Sequence, residues 1–406
     1  VSDLALQDLR QLKRADVYKQ GRLAATLTRT AAGVEFAYLP EWLADGRPAV
    51  ASTLPLQPDR VLSPGGAVPA YFAGLLPEGR RLTALRRAVK TSADDELSLL
   101  LAVGSDAVGD VQVLPADAPP VAREPRLTIS DIGQVRFAEL LAELGIRPDR
   151  VALPGVQDKV SAAMLSLPVA RPGARFILKL DPPDFPHLVD NEAFFLAAAR
   201  ATGLATVRAE VIVDADGRQG LLIERFDRPG LNPAGAPQML AVEDACQASG
   251  RPPADKYVLS TEEAFGALVG LCQAPLPAAR TFLSQLAFAY VTGNGDAHAK
   301  NFSVLQSANG EWRPAPAYDL PSSQPYGDST MAMTIDGRST GDLGAQSFVD
   351  LGWGLGLPER ATRKVLIEVI DGTRIWRDNL QQLPFDVGII RKLGRVIDYR
   401  ARSLAQ

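Results

Sequence analysis

The sequence predicts an α+β protein in three parts: an N-terminal α+β unit, a strand-containing lobe and a helical lobe. Up to about residue 228, strand-period alternation such as Val34, Phe36 and Tyr38 sits among stretches of helical spacing. Beyond Leu240 strand signals become rare and helical stretches follow one another. A chain of 406 residues is long enough for two or three domains. The expected boundaries are 1–114, a linker over 115–125, a strand-containing lobe over 126–228 and a helical lobe over 229–406.

Taken in order, Val17 to Leu27 is strand-rich and broken at Gly21, and Val34 to Tyr38 alternates after Gly33. Tyr71, Leu75, Leu76, Leu82 and Leu85 have helical spacing around a break at Pro77. Asp94 to Ala102 reads as a second helix, opened by acids and closed before Gly104, and Val111 and Val113 as a returning strand. Pro115, Pro119, Pro120 and Pro125 mark the linker. Phe176 to Lys179 is a short apolar run, Glu192 to Ala201 is helical, and Leu221 to Phe226 is a buried strand leaving the core. Helices are then expected at Glu262–Cys272, Ala278–Val291, Arg360–Ile370 and Val387–Leu404.

Composition narrows the chemistry. Hydrophobic residues make up 46% and charged residues 22%, with a net charge of -4, which excludes a disordered chain and a globally basic nucleic-acid coat. Two cysteines, Cys246 and Cys272, and two histidines, His187 and His298, exclude a disulfide framework and a cysteine- or histidine-rich metal centre. The first residues lack a signal-peptide pattern, and no apolar stretch approaches the roughly 18 residues of a membrane span. A cytoplasmic protein with no membrane partner is expected.

The most informative stretch runs from Gly293 to Phe302, after a helix carrying Phe282, Leu286 and Tyr290. Asp296 and Asn301 are separated by four residues, as in the catalytic loop of protein kinases, where the aspartate accepts a hydroxyl proton and the asparagine holds Mg²⁺. The same spacing also serves a helix-terminating turn with local side-chain bonds. Downstream, a hairpin through Asn309-Gly310 would return Asp319 close to Asn301, completing a Mg²⁺-holding pair; Asp319 could equally cap the turn at Pro321. Pro154-Gly155-Val156-Gln157-Asp158-Lys159 is a short turn able to aim N–H groups and Lys159 at phosphate oxygens, without being a Walker A loop. Lys179 ends an apolar strand where a phosphate-pairing lysine, or a snorkelling edge lysine, would sit. Glu224-Arg225-Phe226 ends the next strand, where a kinase hinge offers backbone groups to adenine. Trp353 and Trp376 read as packing residues. Arg391, Lys392, Arg395, Arg400 and Arg402 on the last helix form either a solvated face or a set of contacts to DNA phosphates.

These motifs, with Leu99 to Asp110, Glu-Arg-Phe-Asp-Arg228, Glu-Asp-Ala-Cys-Gln247, Asp-Ala-His-Ala-Lys-Asn301-Phe and Tyr318-Asp319, resemble those of the HipA family of kinase toxins from bacterial HipA–HipB modules. The resemblance covers about residues 15 to 325. It implies a bilobal protein/lipid-kinase-like fold with an added N-terminal domain, and a serine/threonine kinase using ATP and Mg²⁺. By it, Asp296 is the proton acceptor, and Asn301 and Asp319 hold Mg²⁺. His298, Ala299, Lys300 and Asn301 line the nucleotide site with Tyr318, and Lys179 contacts phosphates. Glu224, Arg225 and Phe226 form the hinge, and Pro154 to Lys159 the phosphate loop. It further implies a helix-turn-helix antitoxin of the HipB type, operator DNA bound through that complex, and a protein substrate such as an aminoacyl-tRNA synthetase. One departure stands out: Ala152 occupies a position where family members often carry a serine whose autophosphorylation switches the kinase off. The chain either lacks that switch or carries a replacement there. Two rival readings remain, a small-molecule kinase of the aminoglycoside or choline type and a non-catalytic DNA-binding co-repressor.

Overall fold

The computed structural model describes residues 5–120, 134–139, 165–171, 174–182, 184–231, 238–339 and 343–406. The Pro154 to Lys159 loop and Ala152 lie outside the described residues.

The N-terminal unit is built on an antiparallel sheet of β1 (Arg14–Lys19), β2 (Arg22–Arg29), β3 (Gly33–Tyr38), β4 (Val61–Pro64) and β5 (Val111–Pro115), in the order β4-β3-β2-β1-β5. The break at Gly21 is a two-residue turn in which Gln20 and Gly21 both take positive φ, 51° and 74°, as tight hairpins require. Helix α1 (Gly79–Val89) packs on α2 (Glu96–Val103), and Leu97 of α2 is buried with Val17, Leu27, Phe36 and Val113 of the sheet and with Phe72. The α2 N-terminus is set by Asp95, whose carboxylate accepts the Ser98 N–H. Beyond β5 the expected linker begins packed rather than free: the Tyr18 hydroxyl donates to the Ala118 carbonyl at 2.8 Å.

The second sheet has the order β6-β7-β9-β8, from β6 (Leu165–Arg171), β7 (Ala174–Leu180), β8 (Ala209–Val213) and β9 (Gln219–Glu224). Helix α3 (Leu188–Ala201) packs on it through Phe195 and Leu196. This helix opens at Leu188, one turn before the expected Glu192. The reason is a cap from outside the helix: the Asp181 carboxylate accepts the N–H groups of His187 (3.0 Å) and Val189 (2.7 Å).

The helical lobe comprises α4 (Thr261–Leu271), α5 (Pro275–Thr292), α6 (Ala345–Gly354), α7 (Glu359–Trp376) and α8 (Val387–Ala405) around the buried α5. Helix α6 is short, with Gly352 inside it and Gly354 as its last residue, and its spacing does not announce it. Strands beyond Leu240 are few and short. A three-stranded antiparallel sheet, β10 (Val242–Asp244), β11 (Ser303–Gln306) and β12 (Trp312–Pro314), lies inside this lobe. The β11–β12 hairpin turns through Asn309-Gly310 as predicted, whereas β10 is too short to show a period and pairs with a distant strand. Arg400 needs correcting as a surface cation: it is 3% exposed and donates to the carbonyls of Tyr290 (2.8 Å) and Ser329 (2.7 Å). Among the described residues no helix is long and apolar enough to cross a membrane.

A buried ionic joint ties the N-terminal unit to the end of β9. Asp227 accepts from Arg225 Nε (3.0 Å), Arg225 Nη2 (2.7 Å), Arg228 Nη1 (2.6 Å) and the Gly109 N–H (3.0 Å). In return the arginines donate to Asp106, to the Ala107 carbonyl and to the Gly109 carbonyl. Ser52 adds a second tie, its N–H donating to Glu243 at 2.8 Å.

Candidate active site

Helix α5 ends at Gly293 in the left-handed region (φ 70°), and the chain turns at once into the Asn294–Asn301 loop. A Cβ on Gly295 would lie 2.7 Å from both Ser323 Oγ and Asp328 Oδ2, so a larger residue there would have to displace those side chains. The loop is stitched from within. Asp296 N–H donates to Asn294 Oδ1 (3.1 Å), His298 N–H to the Asp296 carbonyl (2.8 Å), and Asn301 N–H to the His298 carbonyl (2.9 Å). Asp296 is 1% exposed, and its Oδ1 accepts the Tyr257 hydroxyl at 2.7 Å.

The hairpin returns Asp319 to this loop. Asn301 Nδ2 donates to Asp319 Oδ2 at 3.0 Å and to the Asp296 carbonyl at 3.3 Å. Asp319 has a positive φ of 57°, a conformation costly for a residue with a Cβ, and Asn294 Nδ2 braces it by donating to its carbonyl at 3.1 Å. Its other carboxylate oxygen accepts from Lys179 Nζ at 2.9 Å. Asp319 is therefore held by Lys179 and Asn301.

Lys179, on β7, also donates to both oxygens of Glu192 on α3, at 2.8 and 2.9 Å. Burial alone would lower the pKa of this ammonium, but Asp319 and Glu192 hold it above its usual value, so it stays charged. Burial pushes Glu192 up, opposed by Lys179, while Lys179 draws Asp319 down against its own burial. A strand lysine paired to a helix glutamate and facing an Asp–Asn pair matches the arrangement that kinases use to hold nucleotide phosphates and metal.

The other predicted residues fall around this centre in different ways. Tyr318 stacks on Phe226 (ring centroids 5.8 Å apart, 27° between planes) and donates its hydroxyl to the Lys300 carbonyl at 2.7 Å. Ala299 is buried under the loop. His298 is also buried; burial first, then the cations Lys256 and Lys300, keep it neutral. Its Nδ1 meets no hydrogen-bond partner among the described residues. The Lys300 ammonium turns out of the site, to Asp244 (2.7 Å) and the Gly74 carbonyl (3.1 Å). The Arg225 side chain likewise belongs to the interdomain joint, while its neighbours Glu224 and Phe226 continue the strand end.

Sequence reasoning missed Glu192, Tyr257 and Glu78. The signal for Glu192 was present: an acid inside the helix that follows a strand-ending lysine. Tyr257 sits in a short irregular turn, Pro253–Tyr257, with no period to mark it.

With this geometry in place, likeness to known proteins becomes informative. The family description "HipA-like C-terminal domain" matches residues 151–376, and "HipA N-terminal domain" matches residues 15–114. The chain belongs to the HipA family. It is 32% identical to the Y4mE protein of Sinorhizobium fredii, named there as a candidate kinase, over 88% of this chain and 89% of that one. It is 27% identical to the serine/threonine-protein kinase toxin HipA of Shewanella oneidensis, over 84% of this chain and 81% of that one. In fold it matches a chain of the HipA, HipB and operator DNA complex from Shewanella oneidensis MR-1. The TM-score is 0.77 at 21% identity, covering 96% of this chain and 97% of that one. The HipA fold is thus present from the N-terminal sheet to the last helix.

Proposed function

We propose that this HipA-family chain is an ATP- and Mg²⁺-dependent serine/threonine protein kinase that acts as the toxin of a toxin–antitoxin pair. One observation carries the reading: Lys179, paired to Glu192, and Asn301 of the Asp296 loop both hold the carboxylate of Asp319, and the Asp296 carboxylate is buried. Asp296 takes the proton of the acceptor hydroxyl and orients its oxygen. Lys179 neutralises phosphate oxygens, and Glu192 keeps its ammonium aimed. The Asn301 amide and the Asp319 carboxylate are hard oxygen donors. Mg²⁺ is held by one or two such groups together with phosphate oxygens and water, which this pair fits. When bound, the ion supplies charge neutralisation on the transferring phosphoryl group. The Phe226–Tyr318 stack forms an apolar wall for the base, with the strand end at Glu224 beside it, and the role of phosphate loop is assigned to Pro154 to Lys159.

The partners follow from the family. A helix-turn-helix antitoxin of the HipB type, operator DNA through that complex, and a translation component such as an aminoacyl-tRNA synthetase as substrate are all part of this proposal, as are the cytoplasmic setting and the division at 1–114, 126–228 and 229–406. Of the last-helix cations, Arg391, Lys392, Arg395 and Arg402 are exposed on α8 and Arg400 is not.

The test is transfer of label from γ-labelled ATP into a cell lysate by wild type and by Asp296→Asn. A discrete labelled protein band that disappears in Asp296→Asn, while calorimetry shows MgATP binding intact, is the expected result. A labelled small molecule, no transfer at all, or full transfer by Asp296→Asn would refute the reading.

A further inference from the structure

The carboxylate of Asp296 is held from outside its own loop, by a residue that belongs to none of the nucleotide contacts. Tyr257 closes the short turn Pro253–Tyr257 and donates its hydroxyl to Asp296 Oδ1 at 2.7 Å. Its ring stands edge-on to His298, with centroids 5.2 Å apart, so the phenol is fixed by the loop it serves. The preceding residue, Lys256, is buried, lies 5.1 Å from the Tyr257 ring and forms an ion pair with Glu78. Glu78 belongs to the N-terminal unit, immediately before α1, and its other oxygen is 3.7 Å from Lys300 of the catalytic loop. One carboxylate of the N-terminal unit thus spans the turn that carries Tyr257 and the loop that carries Asp296.

We propose that Tyr257 is a positioning residue on the acceptor side of the site, and that Glu78, through Lys256, makes its placement depend on the N-terminal unit. The proposal rests on Asp296 as the proton acceptor. A carboxylate has two oxygens and rotates about χ2 over a broad well. A hydroxyl donor fixed on Oδ1 restricts that rotation and so sets the direction from which the carboxylate meets the acceptor hydroxyl. A base misaimed by a fraction of an ångström loses rate without losing nucleotide, because phosphate and metal contacts lie on Lys179, Asn301 and Asp319. Through Glu78, the N-terminal unit then acts on turnover rather than on ATP affinity.

The experiment uses the full chain and single-turnover hydrolysis of MgATP, with water as the acceptor, in a double-mutant cycle of Tyr257→Phe and Asp296→Asn. Tyr257→Phe should lower the rate by about tenfold or more, with MgATP affinity within about twofold of wild type. On the Asp296→Asn background, the same change should have no further effect, because the group it aims is gone. Glu78→Gln should show a smaller loss of the same kind, abolished on the Tyr257→Phe background. A Tyr257→Phe rate equal to wild type, or a loss that persists undiminished on Asp296→Asn, overturns the positioning role. Asp296→Asn turning over at the wild-type rate would instead overturn the base assignment on which the proposal stands.

Discussion

Asp227→Asn isolates the joint between the N-terminal unit and the strand end that leads to the site. Asp227 is 3% exposed and accepts from two arginines and the Gly109 N–H. Burial alone would raise its pKa, but Arg225 and Arg228 hold it down at about 2. Against an ordinary value of 3.8, that depression favours the charged form by about 2 kcal/mol at neutral pH. Asparagine resembles the protonated acid and also turns an NH₂ toward arginine donors, so about 2 kcal/mol is the floor. The ceiling is the roughly 3–5 kcal/mol lost when one partner of a buried ion pair is removed. A folded-state pKa below the unfolded one gives stability that is full above the unfolded value and is lost as pH falls through the folded value. The gap between wild type and Asp227→Asn should therefore be complete above about pH 4 and close toward pH 2. Denaturant unfolding across that pH range measures it. Because the joint abuts Glu224 and Phe226, MgATP affinity should fall with it. A loss below about 1 kcal/mol at pH 7, or a gap unchanged at pH 2, would refute the argument.

Asp319→Asn removes one anionic oxygen donor, and should weaken MgATP binding by at least about tenfold while leaving Mg²⁺-free ATP binding little changed; calorimetry with and without Mg²⁺ checks it. Arg400→Met breaks two hydrogen bonds to buried carbonyls, from a guanidinium 4.9 Å from the Tyr290 ring centroid, and should cost about 2 kcal/mol in denaturant unfolding.

How far the site could be read from the sequence depends on how far apart its partners lie along the chain. Asp296, Asn301 and Asp319 sit within one loop and one hairpin, so spacing and a favoured turn dipeptide were enough to bring them together. Lys179 was placed correctly on its strand, but its pairing with Glu192 depends on how α3 rotates on the sheet, which no local pattern records. Tyr257 reaches Asp296 from a turn without periodicity, so only the tertiary fold reveals it. Strand β10 was missed for the same reason, as its pairing partner β11 lies far along the chain.

The fold also changes what two of the motifs mean. Leu99 to Asp110 and Glu224 to Arg228 stand far apart in the sequence, and only the second reads as part of a nucleotide site. In the structure they are the two halves of one buried cluster. Asp106, Ala107 and Gly109 supply acceptors, Arg225 and Arg228 supply donors, and Asp227 closes the set. Guanidinium groups this deeply buried cost several kcal/mol each unless every donor finds an acceptor. That requirement explains why a charged Arg-Phe-Asp-Arg run leaves an apolar strand where a hinge alone would call for backbone groups only. The side chains of this strand end point to two different neighbours. Arg225 and Arg228 face the N-terminal unit, while Phe226 between them stacks on Tyr318 toward the catalytic loop. A perturbation of the N-terminal unit therefore reaches the site by two routes, through this joint to the strand end and through Glu78 to the catalytic loop, and the two are separable by whether nucleotide affinity or turnover responds.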